Sequence, residues 1–145
     1  MSKRLIIEHV EPAAMSALMQ LEAYLSTVSV PKKNIFLMEV RASQINGCSY
    51  CINMHTKNAL HLGETQERID LISNWKQTTA FSPEEKLLFA ITEEITLISE
   101  HGLSDELYND AESHFGKKLT AQIIMIVIII NAWNRLAVSL KTGKV

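Results

Sequence analysis

Residues 41–64 read RASQINGCSYCINMHTKNALHLGE, and this stretch decides how the chain is organised on either side of it. Its Asn-Gly pair at 46–47 is typical of a helix C-terminus, because glycine adopts the left-handed conformation at little cost. The pair separates a predicted helix over 32–45 from another over about 48–62. A type I′ hairpin turn is the alternative for Asn-Gly, but the flanking residues do not alternate cleanly between apolar and polar. The stretch therefore predicts two helices joined by a tight turn.

Helical spacing of apolar residues continues away from this turn in both directions. Serine or proline stands at the start of several predicted helices, where either residue is favoured. Five further helices are predicted, over about 12–28, 65–75, 82–102, 104–116 and 119–140. The sequence shows no strand pattern, internal repeat or linker. Residues 1–145 are therefore expected to form a single all-α domain, a bundle of six to seven helices.

The composition is that of one globular domain. The 145 residues are 47% hydrophobic and 21% charged, with a formal net charge of −2. A chain of this length buries roughly 70% of the surface that it exposes when unfolded, so it needs no covalent staples. Two cysteines, three prolines and five glycines exclude a disulfide scaffold and a turn-rich β-sandwich. The near-neutral charge balance does not predict nucleic acid as a partner.

The longest apolar run, IIMIVIII at 123–130, lies in the last predicted helix. A membrane span needs about 20 apolar residues, so the run predicts a buried helix rather than a membrane contact. A helix that is apolar nearly all round must be surrounded. Burial against a second subunit is expected, with the centre of a monomeric bundle as the alternative. Residues 1–12 lack the apolar stretch of a secretory signal, which favours a cytoplasmic location.

Cys48, Cys51 and His55 are the candidate redox residues. At about 100° per residue they fall within about 60° of one another on one face of a helix. A thiol attacks as its thiolate, and both a helix N-terminus and a neighbouring imidazole lower the thiol pKa. An oxidised thiol can then condense with a second thiol three residues away. The pattern favours a two-electron thiol–disulfide cycle.

Three other kinds of site are compatible with two cysteines and a histidine. The spacing C-x2-C-x3-H offers zinc ligands, although Cys48 and His55 stand about 10 Å apart along a helix axis, too far for one ion to take all three. A thioredoxin-like C-x-x-C follows a strand, whereas here a helix precedes it. Buried cysteines without any chemistry are the third alternative. No metal or cofactor is assigned.

Glu39 is the candidate proton-transfer group on the helix before the cysteines. Among apolar neighbours it is either buried beside the thiols or solvated, and the sequence slightly favours a solvated side chain. Glu93 and Glu94 are predicted to lie on a solvated face. The remaining histidines are predicted to be surface residues: His9, His61, His101 and His114.

The run S-Q-x-N-x-C-x-Y-C-x-x-x-H at 43–55 resembles the core motif of the AhpD-like alkylhydroperoxidases of the carboxymuconolactone decarboxylase superfamily. The likeness continues through Arg68, residues 71–75 and 92–93, and the NAWNR segment at 131–135, so that it covers roughly residues 30–140. It implies a helical fold that assembles into trimers or hexamers, often with the active site near subunit contacts.

The resemblance also implies a role for each site residue. In such peroxidases the second cysteine attacks the peroxide and the first resolves it, which makes Cys51 the peroxidatic thiol, Cys48 the resolving thiol and His55 the proton relay. A hydroperoxide substrate, a thiol reductant such as a lipoylated protein, and a peroxiredoxin partner are implied as well. The family's relay usually includes a glutamate twelve residues before the first cysteine, where this chain has Phe36. Glu39, about one turn later, is the candidate substitute.

Tyr50 occupies the position between the cysteines that is sometimes an imidazole in the family. It is a poor base at neutral pH but can donate a hydrogen bond. The first hypothesis is therefore a thiol-dependent hydroperoxide reductase. A carboxymuconolactone-type decarboxylase, which would have no use for a C-x-x-C, is the second. A non-catalytic oligomeric redox sensor is the third.

Overall fold

Seven α-helices and two 3₁₀ segments follow one another along residues 4–142, the part of the chain that the computed structural model describes. The α-helices are α1 (Ile7–Val10), α2 (Pro12–Ala23), α3 (Lys32–Ile45), α4 (Ser49–His61), α5 (Gln66–Asp70), α6 (Pro83–Thr96) and α7 (Asp105–Leu140), and the 3₁₀ segments are Tyr24–Thr27 and Ile72–Gln77. Residues 4–142 contain no β-strand. The all-α prediction is confirmed, and the hairpin alternative for residues 46–47 is wrong.

Helix α3 lies between the two apolar clusters of the fold. Ile35 and Met38 belong to one cluster, which they form with the inner faces of α6 and α7. Leu37 and Val40 belong to the other cluster, with residues of α4, α5 and α6 and the second 3₁₀ segment. Because α3 is packed on both sides, its side chains face the interior over much of its length.

Helix α7 contains the predicted break and the predicted buried run. Gly116 adopts φ +77° and ψ 164°, a conformation that is accessible to glycine and costly for other residues. Helical geometry stops and restarts there, which confirms a boundary between the helices predicted over 104–116 and from 119 onward. The apolar residues of the run that are fully buried are Ile123, Ile126, Val127, Ile129 and Ile130.

Within residues 4–142, α7 is the one helix long and apolar enough to cross a membrane by length and composition, with a mean hydropathy of 2.0 over its most apolar window. The core helix of a soluble protein passes the same test. The buried face of α7 packs against α3 and α6 as part of an apolar cluster. The helix therefore serves as a core element of this fold, in agreement with the sequence prediction.

Three predicted helix boundaries are wrong. Helix α2 ends at Ala23, and most of the remainder of the helix predicted over 12–28 is the 3₁₀ segment Tyr24–Thr27. Helix α6 ends at Thr96 rather than near Gly102, because Ile98 continues the apolar spacing but is 57% exposed and has no core to pack against. The helix predicted over 65–75 breaks after α5 into the 3₁₀ segment Ile72–Gln77. There Ile72 and Trp75 are both buried, and the tighter 3₁₀ period places residues three apart on one side.

Candidate active site

The two cysteines lie at the start of α4, directly after the turn that ends α3. The backbone N–H of Cys48 donates to the carbonyl of Ser43 at 3.0 Å, which ties the turn to the last residues of α3. Cys48 is the N-cap of α4, and its sulfur accepts from the backbone N–H of Cys51 at 3.3 Å. The two sulfurs form a disulfide, with 5.3 Å between the Cα atoms. Both residues are buried, so the structure describes an oxidised, enclosed pair.

His55 follows Cys51 by one helical turn, and its ring meets Glu39 across the α3–α4 contact. Nδ1 of His55 lies 2.8 Å from Oε2 of Glu39, although the N–H direction is oblique to the oxygen. Both side chains are buried, with residue exposures of 5% and 2%. The sequence slightly favoured a solvated Glu39, and that prediction is wrong. Glu39 is buried because α3 is covered on both sides. Nε2 of His55 is buried without a hydrogen-bond partner among the described residues.

The environment of Glu39 favours its protonated form. Burial removes water from the carboxylate and raises the pKa of Glu39, more than the contact with His55 lowers it. The charge of Glu22 on α2 raises the pKa further. A carboxyl group with a raised pKa beside an imidazole can hold or share a proton at that contact.

Phe36 occupies the position where a family relay glutamate was expected. Its ring centroid lies 6.2 Å from that of His55, at a tilt of 33°. The aromatic side chain therefore packs near the imidazole, while Glu39 contacts Nδ1 from one turn further along α3. The structure thus places a carboxylate beside His55 in spite of Phe36.

A buried amide cluster, formed by Ser43, Asn46, Asn131 and Asn134, holds the turn before Cys48. Nδ2 of Asn46 donates to Oδ1 of Asn131 at 3.0 Å and to Oδ1 of Asn134 at 2.9 Å. Nδ2 of Asn134 donates in turn to Oγ of Ser43 at 2.9 Å. Sequence reasoning quoted the NAWNR segment but assigned no role to its asparagines. Two amides three residues apart on an otherwise apolar helix were the signal, since such groups require partners when buried.

Glu93 and Glu94 do not lie on a solvated face, so that prediction is wrong. Oε1 of Glu93 accepts from Nε1 of Trp75 and from Nη2 of Arg41, both at 2.7 Å. Burial alone would raise the pKa of Glu93, but these hydrogen bonds and one from Lys76 outweigh it and lower the pKa. The Glu94 carboxylate accepts from the backbone N–H of Ser104 at 2.8 Å.

The other histidines match their predicted surface positions. They are all exposed: His9, His61, His101 and His114. Among residues 4–142 no group of three or more His, Cys, Asp or Glu side chains is placed to hold a metal ion.

A small cavity, which we call the Cys48 cavity, opens at the start of α4. Its volume is about 30 Å³, about the share of one water molecule in the liquid. It is lined by residues 47–50 on one side and by Ala137, Val138, Lys141 and Thr142 on the other. Cys48 therefore borders an opening at the surface, and the end of α7 forms the opposite wall.

The fold is all-helical over the described residues and holds a buried C-x-x-C disulfide. A histidine follows one turn later, and a carboxylate lies against it. Together these features define a class of helical thiol-redox proteins. A family model described as the carboxymuconolactone decarboxylase family matches residues 12–94. The chain belongs to this family, and its fold is AhpD-like.

Relatives match over almost the whole chain. The uncharacterized protein YdfG of Bacillus subtilis (strain 168) is 35% identical over 140 residues, which cover 97% of this chain and 95% of YdfG. A solved structure of a protein of unknown function from Agrobacterium tumefaciens, for which the role of antioxidant defence protein AhpD has been suggested, has a TM-score of 0.92 at 31% identity. That alignment covers 98% of this chain and 97% of the other.

A more distant structure shares the fold alone. It is an uncharacterized peroxidase-related protein from Silicibacter sp. TM1040, with a TM-score of 0.75 and 17% identity. The alignment covers 87% of this chain and 67% of the other. Family membership and the likeness to the Agrobacterium tumefaciens protein support an antioxidant or alkylhydroperoxidase-type function at the level of the family.

Proposed function

We propose that the protein is a thiol-dependent hydroperoxide reductase that cycles between a Cys48–Cys51 dithiol and the disulfide. The observation that carries the proposal is the buried contact of Nδ1 of His55 with Glu39, one helical turn after the Cys48–Cys51 disulfide. A structural disulfide would not need a buried imidazole with a free nitrogen one turn away. Family membership supports the same class of reaction and the predicted cytoplasmic location.

The proposed cycle starts from the reduced pair. Nε2 of His55 takes the proton of the Cys51 thiol, while Glu39 at Nδ1 stabilises the imidazolium that results. The Cys51 thiolate attacks one peroxide oxygen, the O–O bond breaks, and the alkoxide takes the proton from His55 to leave as the alcohol. Cys51 is then a sulfenic acid. The Cys48 thiol attacks its sulfur, water departs, and the disulfide forms.

The stoichiometry of this cycle is testable with the whole chain. The reduced protein is titrated with cumene hydroperoxide while intact mass and free thiols are followed. We expect a loss of two hydrogens and two thiols per peroxide consumed. Unchanged thiols at excess peroxide would contradict the proposal and favour the decarboxylase or a binding function.

Two matched serine variants assign the roles of the cysteines. Cys48→Ser should still react and stop at a sulfenic acid on Cys51, which dimedone traps and mass spectrometry locates. Cys51→Ser should lose the reaction with peroxide. A sulfenic acid on Cys48 in Cys51→Ser, with Cys48→Ser inert, would reverse the assignment. The test uses a single turnover, so it does not involve the predicted reductant, a lipoylated protein, or the predicted peroxiredoxin partner.

A further inference from the structure

The two sulfurs of the disulfide differ in what surrounds them. Cys48 borders the Cys48 cavity, whereas Cys51 is not among its lining residues. Cys51 instead lies one turn before His55, on the inner side of α4. A reductant has to reach one of these sulfurs, and the structure offers an approach to one of them.

We infer that electrons enter at Cys48 from an anionic thiol donor that seats its sulfur in the Cys48 cavity. The inference rests on the proposed function, because it assigns the reductive half of the same cycle. Disulfide exchange proceeds by attack of a thiolate on one sulfur while the other leaves. Attack on Cys48 makes Cys51 the leaving thiolate, and the free Nε2 of His55 on the same face can supply its proton.

The charges around the Cys48 cavity favour an anion. Lys141 is the one charged residue among those of residues 4–142 that line it. The guanidinium of Arg4 donates to the carbonyl of Ser139, on the same end of α7. The cavity also lies at the N-terminal end of α4, where the helix dipole is positive. An attacking thiolate is itself an anion, so this setting stabilises both the nucleophile and a donor that carries further negative charge.

The exchange balances in two steps. The donor thiolate R–S⁻ attacks the sulfur of Cys48, which gives R–S–S–Cys48 and the Cys51 thiolate. A second donor thiolate then attacks the donor sulfur of that mixed disulfide, which gives R–S–S–R and the Cys48 thiolate. The protein disulfide gains two electrons, the donor is oxidised to its disulfide, and the two protein thiolates take up two protons.

Two small thiols test both parts of the inference. The probes are 2-mercaptoethanesulfonate and 2-mercaptoethanol, which present a thiol on the same two-carbon chain and differ in a negative charge. The oxidised protein is mixed rapidly with either thiol and quenched with N-ethylmaleimide, and the adduct is located by peptide mapping. We expect the thiol adduct on Cys48 and the maleimide on Cys51. A thiol adduct on Cys51 would overturn the inference.

The rate of adduct formation tests the charge. We expect the sulfonate to react about two- to fivefold faster than the neutral thiol at low salt, a ratio typical of one exposed charge pair. Lys141→Asn should reduce that advantage without slowing 2-mercaptoethanol, and Lys141→Arg should retain it. Asparagine is chosen because Lys141 has φ +54°, a conformation that asparagine tolerates. The control Lys118→Asn removes a lysine elsewhere on α7 and should keep the advantage.

The result separates this inference from the proposed function. Oxidation of the reduced protein by peroxide needs no donor, so it succeeds or fails independently of the adduct experiment. If thiol adducts form on Cys48 but peroxide does not oxidise the reduced protein, attack of the donor at Cys48 is supported and the proposed peroxidase function is contradicted. Normal peroxide oxidation with adducts on Cys51, or with no effect of Lys141→Asn on the charge preference, would remove the inference alone.

Discussion

At the level of single residues, the proposed proton transfer depends on the contact between Glu39 and His55. An imidazole that must take a proton at Nε2 needs a partner at Nδ1, since that partner sets the tautomer and stabilises the charged ring. Glu39 is in that position at 2.8 Å. Phe36, which packs near the same ring, carries no charge. We therefore propose that Glu39 is a positioning residue that acts through His55.

Glu39→Gln should slow oxidation of the dithiol by peroxide. The amide keeps the size of the side chain but can neither ionise nor share a proton with Nδ1, so the imidazolium that forms on deprotonation of Cys51 loses its stabilisation. We expect the second-order rate constant to fall about 10- to 100-fold, within the usual range for acid–base catalysis, and its pH profile to change shape. Stopped-flow fluorescence with cumene hydroperoxide measures both. The matched control is Glu67→Gln at an exposed position of α5, which should leave rate and profile unchanged. An unaltered rate in Glu39→Gln would assign Glu39 to structure.

The raised pKa of Glu39 also predicts how stability depends on pH. The folded state keeps this proton to higher pH than the unfolded chain, whose carboxyl titrates near the ordinary value of 4.5. As pH rises from 4.5 to the raised pKa, the free energy of unfolding falls, because the unfolded chain releases this proton first. The cost of ionising Glu39 in its buried position is therefore absent below this window and largest above it. Glu39→Gln should therefore gain stability relative to the parent as pH rises above about 4.5. Urea unfolding of both proteins across that range measures the difference, and a constant difference would show that Glu39 titrates alike in both states.

The α3–α4 turn is the decisive element, because it sets where α4 begins and hence where Cys48 lies. The amide cluster joins this turn to α7, so that the position of the cysteines depends on a helix far away in the sequence. Asn134 is fully buried and bridges Ser43 and Asn46. The residues that directly follow these asparagines, at the C-terminal end of α7, form the wall of the Cys48 cavity, which makes α7 a support for the site as well as a core helix.

Asn134→Ala should destabilise the fold and loosen the turn. Removal of the amide leaves the Ser43 hydroxyl without its donor and opens a gap in the core, with an expected loss of about 1–3 kcal/mol in the free energy of unfolding. The control Asn58→Ala removes an exposed amide of α4 and should change stability by less than about 0.5 kcal/mol. Urea unfolding measures both values. Equal, small effects in the two variants would mean that the cluster does not hold the turn.

On the scale of the whole molecule, α7 is only partly covered by the chain itself. Ile128 in the apolar run is 42% exposed, and Ile124 and Ala132, one turn before and after it, are half-buried. A large aliphatic side chain that is left in water within an apolar run favours burial against another subunit. We propose that the chain self-associates through this side of α7, as a trimer or hexamer.

Light scattering coupled to size-exclusion chromatography tests the assembly. The parent protein should have a mass that is a multiple of 16.3 kDa, and Ile128→Glu should shift it toward the monomer, since a buried unpaired carboxylate is costly. Ser113→Glu adds the same charge at an exposed position of α7 and should leave the mass unchanged. A monomeric parent at micromolar concentration would contradict the proposal.

Local pattern in the sequence determined the helical class, the turn at residues 46–47 and the grouping of two cysteines with His55, because these depend on residues within one or two helical turns. Only the tertiary structure decided which groups face them. Glu39 lies on a separate helix, and its burial follows from the packing of α4, α6 and α7 around α3. The partners of Glu93 and of the α7 amides could not be identified from the sequence either, since hydrogen bonds between residues 18 to 91 positions apart leave no periodic signal. The cavity at Cys48 exists because the end of α7 returns to the start of α4, and that return is a property of the fold.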